Sequence, residues 1–410
     1  MIQHQLSSPI PVQHSVLLLL LCAVVVSSYE LRLVTYNIQA WRDSNHDCNF
    51  ERIVQTIQDL KPDILCLNEV LHPFCKPNRG SENDGPIRDY YQRVKAGRGR
   101  DTRIDPDLFV PKDIRRDSFL YRLASETGLD ATIEFIGATD RHSFGCGVEF
   151  GNAILTHLET ATIQHCLLDD VSLQEELTFR KNNNDLPPQQ PRDFIDPRVF
   201  STYQIKMKPL LAAANDNDEP TIFGVAATHL DHKSEEVREL QIRKGLQETI
   251  ITPGDTSNAP ALQNVSHLIC GDFNTFQKQD CDLRDRSFGN GDKSGTKEKT
   301  TWDTILELYD ENNWPAPYEK SLVLEALREY GYEDTWYIAQ DRDKNEFPEF
   351  TAWSHRPLMR IDHVFLKNDI NSKTSLSVQD HFRADSNHDG SDHFPVVVDF
   401  RVENSKQQGQ

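Results

Sequence analysis

Short apolar runs that stop on a polar side chain recur along this sequence and narrow the folds open to it. Leu31 to Ile38 carries Asn37, Ile64 to Val70 carries Glu69, Ile222 to Thr228 leads into His229, and Val265 to Asp272 leads into Phe273-Asn274. Runs of this length, apolar on successive residues, read as strands covered on both faces. A carboxylate, carboxamide or imidazole in such a strand is costly unless it is paired or holds a ligand.

Helical spacing fills the intervals. Asn49 to Leu60 places Ile53, Ile57 and Leu60 on one face before Lys61-Pro62, Ser118 to Thr127 is stopped by Gly128, and Ser234 to Ile250 is charged and amphipathic. Trp302 to Leu308 and Leu322 to Tyr330 also read as helices. Further strands are expected at Ala131 to Ile136, Phe200 to Met207, Ile361 to Leu366 and Pro395 to Val402, with Gly151 to Thr156 and Thr162 to Leu168 as a hairpin. Strands interleaved with helices predict sheets covered by helices on their outer faces. Two polar stretches break the rhythm, residues 71–117 and 169–197. Neither reads as a domain boundary, because site motifs lie on both sides of each. One domain over 29–403 is expected, with 404–410 as a tail.

The first 28 residues contain no Lys, Arg, Asp or Glu, and Val16 to Val26 is apolar and ends before Ser27-Ser28. That run is too short to span a bilayer and reads as a cleaved secretory signal over residues 1–28, with a signal anchor as the alternative. Removing Cys22 leaves seven cysteines, an odd number for an oxidising compartment. Cys66 and Cys270 sit in apolar runs and read as buried small hydrophobes, while Cys146 and Cys166 could meet across the expected hairpin as a disulfide. Asn264-Val265-Ser266 is a glycosylation sequon. The net charge of −20 over 410 residues disfavours a broad electrostatic grip on duplex nucleic acid, so such a substrate would need a local positive patch or bound cations.

Three motifs carry chemistry. In Gly271-Asp272-Phe273-Asn274, a carboxylate and a carboxamide two residues apart at a strand end offer oxygen ligands to a hard cation or a grip on a phosphoryl group, although Asp after a strand also forms turns. In Ser391-Asp392-His393-Phe394-Pro395, the carboxylate could ligate a metal while the imidazole works as acid or base. In Arg360-Ile361-Asp362-His363, Asp362 could orient His393, or instead pair with Arg360. Thr228-His229-Leu230-Asp231 ends another strand with an imidazole.

In this order, these segments closely resemble the endonuclease/exonuclease/phosphatase superfamily, which includes deoxyribonuclease I, apurinic endonucleases, neutral sphingomyelinases and inositol polyphosphate 5-phosphatases. The resemblance runs from about Leu31 to Val402. It implies a four-layered α/β sandwich, two packed mixed β-sheets flanked by helices, with the site at one end between the sheets. It further implies Glu69 as principal ligand of Mg²⁺ or Mn²⁺, with Asn37 and Asp392. Asp272 and Asn274 would orient the nucleophile, His393 held by Asp362 would act as general base or phosphate stabiliser, and His229 would contact the phosphate or assist the leaving oxygen. Asn152, in a strand similar to one that approaches the substrate, and Asp231 are further substrate-binding candidates. Many members carry Gln where this chain has Asn68, a shorter side chain expected to weaken a supporting hydrogen bond.

The expected function is thus that of a secreted, metal-dependent phosphoesterase cleaving phosphodiesters in nucleic acid or a phospholipid head group, and acting as a monomer without a stable protein partner. Sphingomyelinase-like or phosphomonoesterase activity at the same site is the alternative. A silent binding protein would have lost a ligand or a histidine, and none is lost. Asp385 to Gly390 imitates the start of a calcium-binding loop, but Val396 stands where the closing glutamate belongs. The Arg-rich stretch from Arg88 to Arg116 is interleaved with aspartates and reads as a solvated loop, and Trp353 as packing or a wall of the site.

Overall fold

The computed structural model describes residues 28–43, 48–73, 118–138, 149–168, 178, 198–207, 220–248, 265–287, 299–340, 346–352, 354, 357–385 and 390–404. The signal segment, Cys146, Asn264, the Arg-rich stretch, Trp353, the centre of the calcium-loop mimic and nearly all of both polar insertions lie outside these residues. Along the chain run β1 (Tyr29–Asn37), α1 (Phe50–Leu60), β2 (Ile64–His72), α2 (Phe119–Thr127), β3 (Thr132–Gly137), β4 (Glu149–Thr156) and β5 (Glu159–Leu167). They are followed by β6 (Val199–Met207), β7 (Thr221–His229), α3 (Glu235–Leu246), β8 (His267–Asp272), α4 (Lys278–Ser287), α5 (Thr301–Glu311) and α6 (Leu322–Glu329). The series closes with β9 (Glu333–Asp334), α7 (Thr335–Ile338), β10 (Asp362–Lys367), β11 (Thr374–Arg383) and β12 (Val396–Asn404).

Strand periodicity of two explains the layering. In β1 and β2, Val34, Tyr36, Leu65 and Leu67 face outward and pack with Ile53, Val54 and Ile57 of α1 and Leu120 and Leu123 of α2. The alternate residues Leu33, Ile64 and Cys66 face inward, against Val225, Leu268, Cys270 and Val364 of the other sheet. On that sheet, Ala226, Ile269 and Phe365 turn outward to meet Ile242 and Leu246 of α3 and Val323, Leu324 and Leu327 of α6. The result is helices, sheet, sheet, helices, the four-layered sandwich expected. Cys66 and Cys270 are fully buried and behave as the small hydrophobes they were read to be.

Both sheets are six-stranded, in the orders β11-β12-β1-β2-β4-β3 and β5-β6-β7-β8-β10-β9. Each has a parallel pair at its centre, β1 with β2 and β7 with β8. Their antiparallel neighbours β12 and β10 begin where the parallel strands end, since Val396 pairs with Thr35 and Asp362 with Asp272. One end of the sandwich therefore collects the last residues of β1, β2, β7 and β8 and the first of β10 and β12. Asn37, His229, Asp272, Asp362 and His393 all lie there.

Four expectations are corrected: the hairpin, its disulfide, the start of the first insertion and the start of the tail. The segments read as a hairpin belong to different sheets: β4 is flanked by β2 and β3 and has no free edge, so the chain crosses over and β5 pairs with β6. Cys166 lies opposite Phe200, which removes the basis for a hairpin disulfide. Residues 71 and 72, placed in the first insertion, complete β2, and Asn404 completes β12. β11, in which Leu376 and Val378 are buried between polar residues, is a strand beyond those expected. Among the described residues no helix is long and apolar enough to cross a membrane.

Candidate active site

The backbone is bent where the site is built. Opposite β4, the register of β2 shifts between Leu67 and Val70, and inside this bulge Glu69 takes a left-handed φ of 56°. Bulges re-aim side chains. Here Asn68 turns between the sheets, its Oδ1 accepting the Asp272 amide (3.0 Å) and its Nδ2 donating to the Thr228 carbonyl (2.9 Å) and to Asn152 Oδ1 (3.0 Å). Gly271, at φ 140°, is needed beside it, because a Cβ there would lie 1.9 Å from the Thr228 carbonyl oxygen. The expectation that Asn68 weakens its hydrogen bonding is thus corrected. Bulged backbone brings the shorter side chain within reach of both sheets.

Asp272 Oδ2 is the hub of the cluster. Around it lie Asn37 Nδ2 at 2.9 Å, His229 Nε2 at 3.6 Å and His393 Nε2 at 3.8 Å. His229 Nε2 is also 3.9 Å from Glu69 Oε1, and His393 Nε2 is 4.0 Å from Asp392 Oδ1. On its other side His393 Nδ1 meets Asp362 Oδ2 at 2.8 Å, the orienting contact proposed from sequence. Asp362 is held in turn by Thr351 Oγ1, which accepts its amide at 3.1 Å. Ser391 ties the Asp392-His393 loop to β1, donating to the Asn37 carbonyl at 2.7 Å and accepting the His393 amide at 3.2 Å. Asn274, at φ 50°, donates its amide to Asp272 Oδ1 at 2.8 Å and its Nδ2 to the Leu230 carbonyl at 3.1 Å.

Burial and charge then set protonation. Burial, reinforced by the nearby Asp362 charge, pushes the Asp272 carboxyl well up, against the opposing pull of His393, Asn37 and the Asn274 amide. Burial would lower His393, but Asp362, with help from Asp272 and Asp392, outweighs it and holds the imidazole well above its ordinary value. Burial, then the charges of Arg198, His393 and His232, hold His229 well below it. The surroundings therefore favour the protonated form of His393 and the neutral form of His229.

Three further candidates make defined contacts within the protein. Asn37 turns its Nδ2 toward Glu69 (3.2 Å) and Asp272, while its Oδ1 accepts the Gln39 amide at 3.0 Å. In this arrangement its carboxamide N–H groups aim the two carboxylates. Asn152 accepts from Asn68 and donates to the Val199 carbonyl at 3.2 Å, which makes it a brace for Asn68. Asp231 is fully buried, its Oδ1 accepting the Lys233 and Ser234 amides at 2.8 and 2.9 Å, and it shapes the turn into α3. Ser391 and Arg198, the latter close enough to His229 for its charge to act on it, were not among the expected site residues. Only Ser391, inside a quoted motif, carried a signal.

The donor set fits a hard divalent cation. Ligand atoms of Glu69, His229 and Asp272 lie within 4.8 Å of one another, as do those of Asp272, Asp362 and His393. Buried carboxylates that outnumber the fixed positive charges around them favour a cation with oxygen ligands. A two-sheet α/β sandwich with this cluster at the ends of its parallel strands is the framework of a phosphoester hydrolase. The chain belongs to the Endonuclease/Exonuclease/phosphatase family, whose profile matches residues 34–393.

Solved structures similar to the chain include an endonuclease/exonuclease/phosphatase from Beutenbergia cavernae DSM 12333, at 17% identity and TM-score 0.46 over 92% of this chain and 72% of that one. A mannosyl-6-phosphatase of Bacteroides thetaiotaomicron VPI-5482 matches at 15% identity and TM-score 0.46, over 90% of this chain and 99% of that one. ANGEL2, a 2',3'-cyclic phosphatase, matches at 14% and 0.45, over 92% and 96%. No curated protein sequence matches the chain.

Proposed function

We propose that this chain is a divalent-cation-dependent phosphoesterase that hydrolyses phosphodiesters by in-line attack of water. The observation that carries the reading is the position of Asp272 Oδ2 between the imidazoles of His229 and His393, next to Glu69 and the Asp362–His393 pair. Glu69 and Asp272, with Asp392 on the His393 side, would hold Mg²⁺ or Mn²⁺. A bound cation supplies neutralisation of the phosphoryl oxygens and helps the ester oxygen leave.

The chain's own residues do the rest. Asp272, aimed by Asn37 and the Asn274 amide, orients the attacking water and takes its proton. His393, fixed by Asp362, presents a cationic Nε2–H to a phosphoryl oxygen, and His229 presents a neutral Nε2–H toward the leaving oxygen. The net charge of −20 favours small or lipid-borne phosphodiesters over long duplexes. We also propose secretion, on the apolar run Val16 to Val26 and the small residues after it; N-terminal sequencing of the exported product tests it.

The purified chain should hydrolyse bis-p-nitrophenyl phosphate with Mg²⁺ or Mn²⁺ and stop on addition of a chelator, with plasmid DNA, RNA and sphingomyelin resolving the natural class. Hydrolysis that survives chelation would remove the cation from the mechanism. Absence of hydrolysis on every substrate would favour a binding protein.

A further inference from the structure

Arg198 has no part in the chemistry above, yet it lies within the site. It immediately precedes β6, is only 7% exposed, and donates its Nε to the Leu230 carbonyl at 3.1 Å. The same carbonyl accepts Asn274 Nδ2 at 3.1 Å, so the guanidinium and the Asn274 carboxamide are neighbours around one oxygen. Its Cζ lies 5.9 Å from the centre of the Phe150 ring, which is in turn 6.2 Å from the His229 ring. Arg198 is also the leading charge that acts on His229.

The other buried arginines are neutralised. Arg238 holds Glu235 at 2.7 Å and Arg360 holds Asp334 at 2.7 Å. Among the described residues, Arg198 has no carboxylate partner, and the Leu230 carbonyl is its hydrogen-bond acceptor. Burying a guanidinium without a counter-anion is costly, and the cost is recovered when an anion arrives. A planar fork of N–H donors suits phosphoryl oxygens in particular.

We propose that Arg198 binds the substrate phosphate, its terminal N–H groups donating to non-bridging oxygens of the scissile group on the side of His229 and Asn274. The inference rests on the phosphoesterase reading and deepens it, because it makes phosphate recognition depend on a fixed protein charge besides the cation. Arg198 then acts in binding and His393 in turnover, so the two should separate in kinetics.

The test measures KM and kcat for bis-p-nitrophenyl phosphate, and binding of inorganic phosphate by calorimetry, in the parent, Arg198→Met and Arg198→Lys. Loss of a charge-assisted hydrogen bond predicts KM and the phosphate Kd both raised roughly 10- to 100-fold in Arg198→Met, with kcat changed less than about threefold and part of the affinity restored by Lys. A residue that only braced the Leu230 carbonyl would lower kcat and leave the phosphate Kd at the parent value, and that pattern overturns the proposal. If Arg198→Met does not fold, Arg198→Lys decides: a weaker phosphate Kd supports the assignment and a parental one removes it. A parent that hydrolyses nothing but binds phosphate through Arg198 would sink the phosphoesterase reading while sparing this one.

Discussion

Two buried clusters of charge meet along residues 360 to 363, and they treat charge in opposite ways. In the first, the Arg360 guanidinium bonds both oxygens of Asp334 at 2.8 and 2.7 Å and approaches Asp280 at 3.9 Å. His363 closes the group, 3.5 Å from Asp334 and 3.1 Å from the Thr275 carbonyl. Burial alone would raise the Asp334 carboxyl, but Arg360 and His363 hold it far below the carboxylate range. In the second cluster, Asp362, Asp272, Glu69 and Asp392 gather around the His393 and His229 imidazoles, and the Asp272 carboxyl is pushed up instead. The first cluster neutralises itself and belongs to the scaffold. The second is left short of positive charge, which is what a site awaiting a cation and a phosphate requires.

If that contrast is right, the two clusters should fail differently when broken. The largest effect is expected from Asp272→Asn. Turnover of bis-p-nitrophenyl phosphate should fall by roughly 10³-fold or more, because both water orientation and a cation ligand are lost. The thermal midpoint of the cation-free protein should hold or rise, since repulsion from Asp362 is relieved. A midpoint that drops sharply would mean that the second cluster is structural after all. Next comes Arg360→Met, which strands the Asp334 carboxylate and should lower unfolding free energy by about 3–5 kcal/mol in urea titrations. The double variant Arg360→Met, Asp334→Leu should recover much of that loss, whereas a double variant as unstable as the single one would show that more than pairing is at stake.

The difference between the clusters was only half legible in the sequence. Asp272, Asp362 and His393 stood out because each is a polar side chain at the end of an apolar strand, and strand polarity alone carries them to one end of the sandwich. Arg360, one residue from Ile361, was a visible rival partner for Asp362, and only the structure shows that Asp334 takes it. Asp334 sits in a two-residue strand that no periodicity announces. The orientation of Asn37 and the reach of Asn68 depend on the Glu69 bulge, a backbone feature that leaves no mark in side-chain pattern. Arg198 follows Pro197 at the edge of a polar insertion, where charged residues are common and one more carries no signal. The separation of β4 from β5 was hidden because a short connection looks the same whether the chain turns back or crosses to the other sheet.

Asn68 lies on the seam, and it sharpens the contrast because it belongs to the site by position and to the scaffold by bonding. Asn68→Ala would leave the Asp272 amide and the Thr228 carbonyl without their partner, at a cost of about 1–3 kcal/mol. Both turnover and urea midpoint should fall, unlike either cluster variant. A fall in turnover with the parental midpoint would assign Asn68 to the chemistry alone.

The smallest effect is a control at the opposite end of β8, where a buried base bonds a hydroxyl and, among the described residues, pairs directly with no carboxylate. His267 Nδ1 meets the Tyr332 hydroxyl at 2.7 Å, and burial, then Lys367, against a weaker pull from Asp369, lowers its pKa to about 3. The unfolded chain carries an ordinary histidine with a pKa of about 6.5. Between those values the unfolded state binds a proton that the folded state does not, so stability falls as pH drops below about 6.5, by up to about 1.4 kcal/mol per unit. His267→Gln removes that slope, while His229 titrates alike in both proteins and cancels. The parent should therefore be the more stable at pH 7.5, and its margin over His267→Gln in urea unfolding should shrink steadily toward pH 5. A margin constant over that range would mean that His267 does not stay neutral in the fold, and that burial without a counter-charge is not enough to set protonation in this protein.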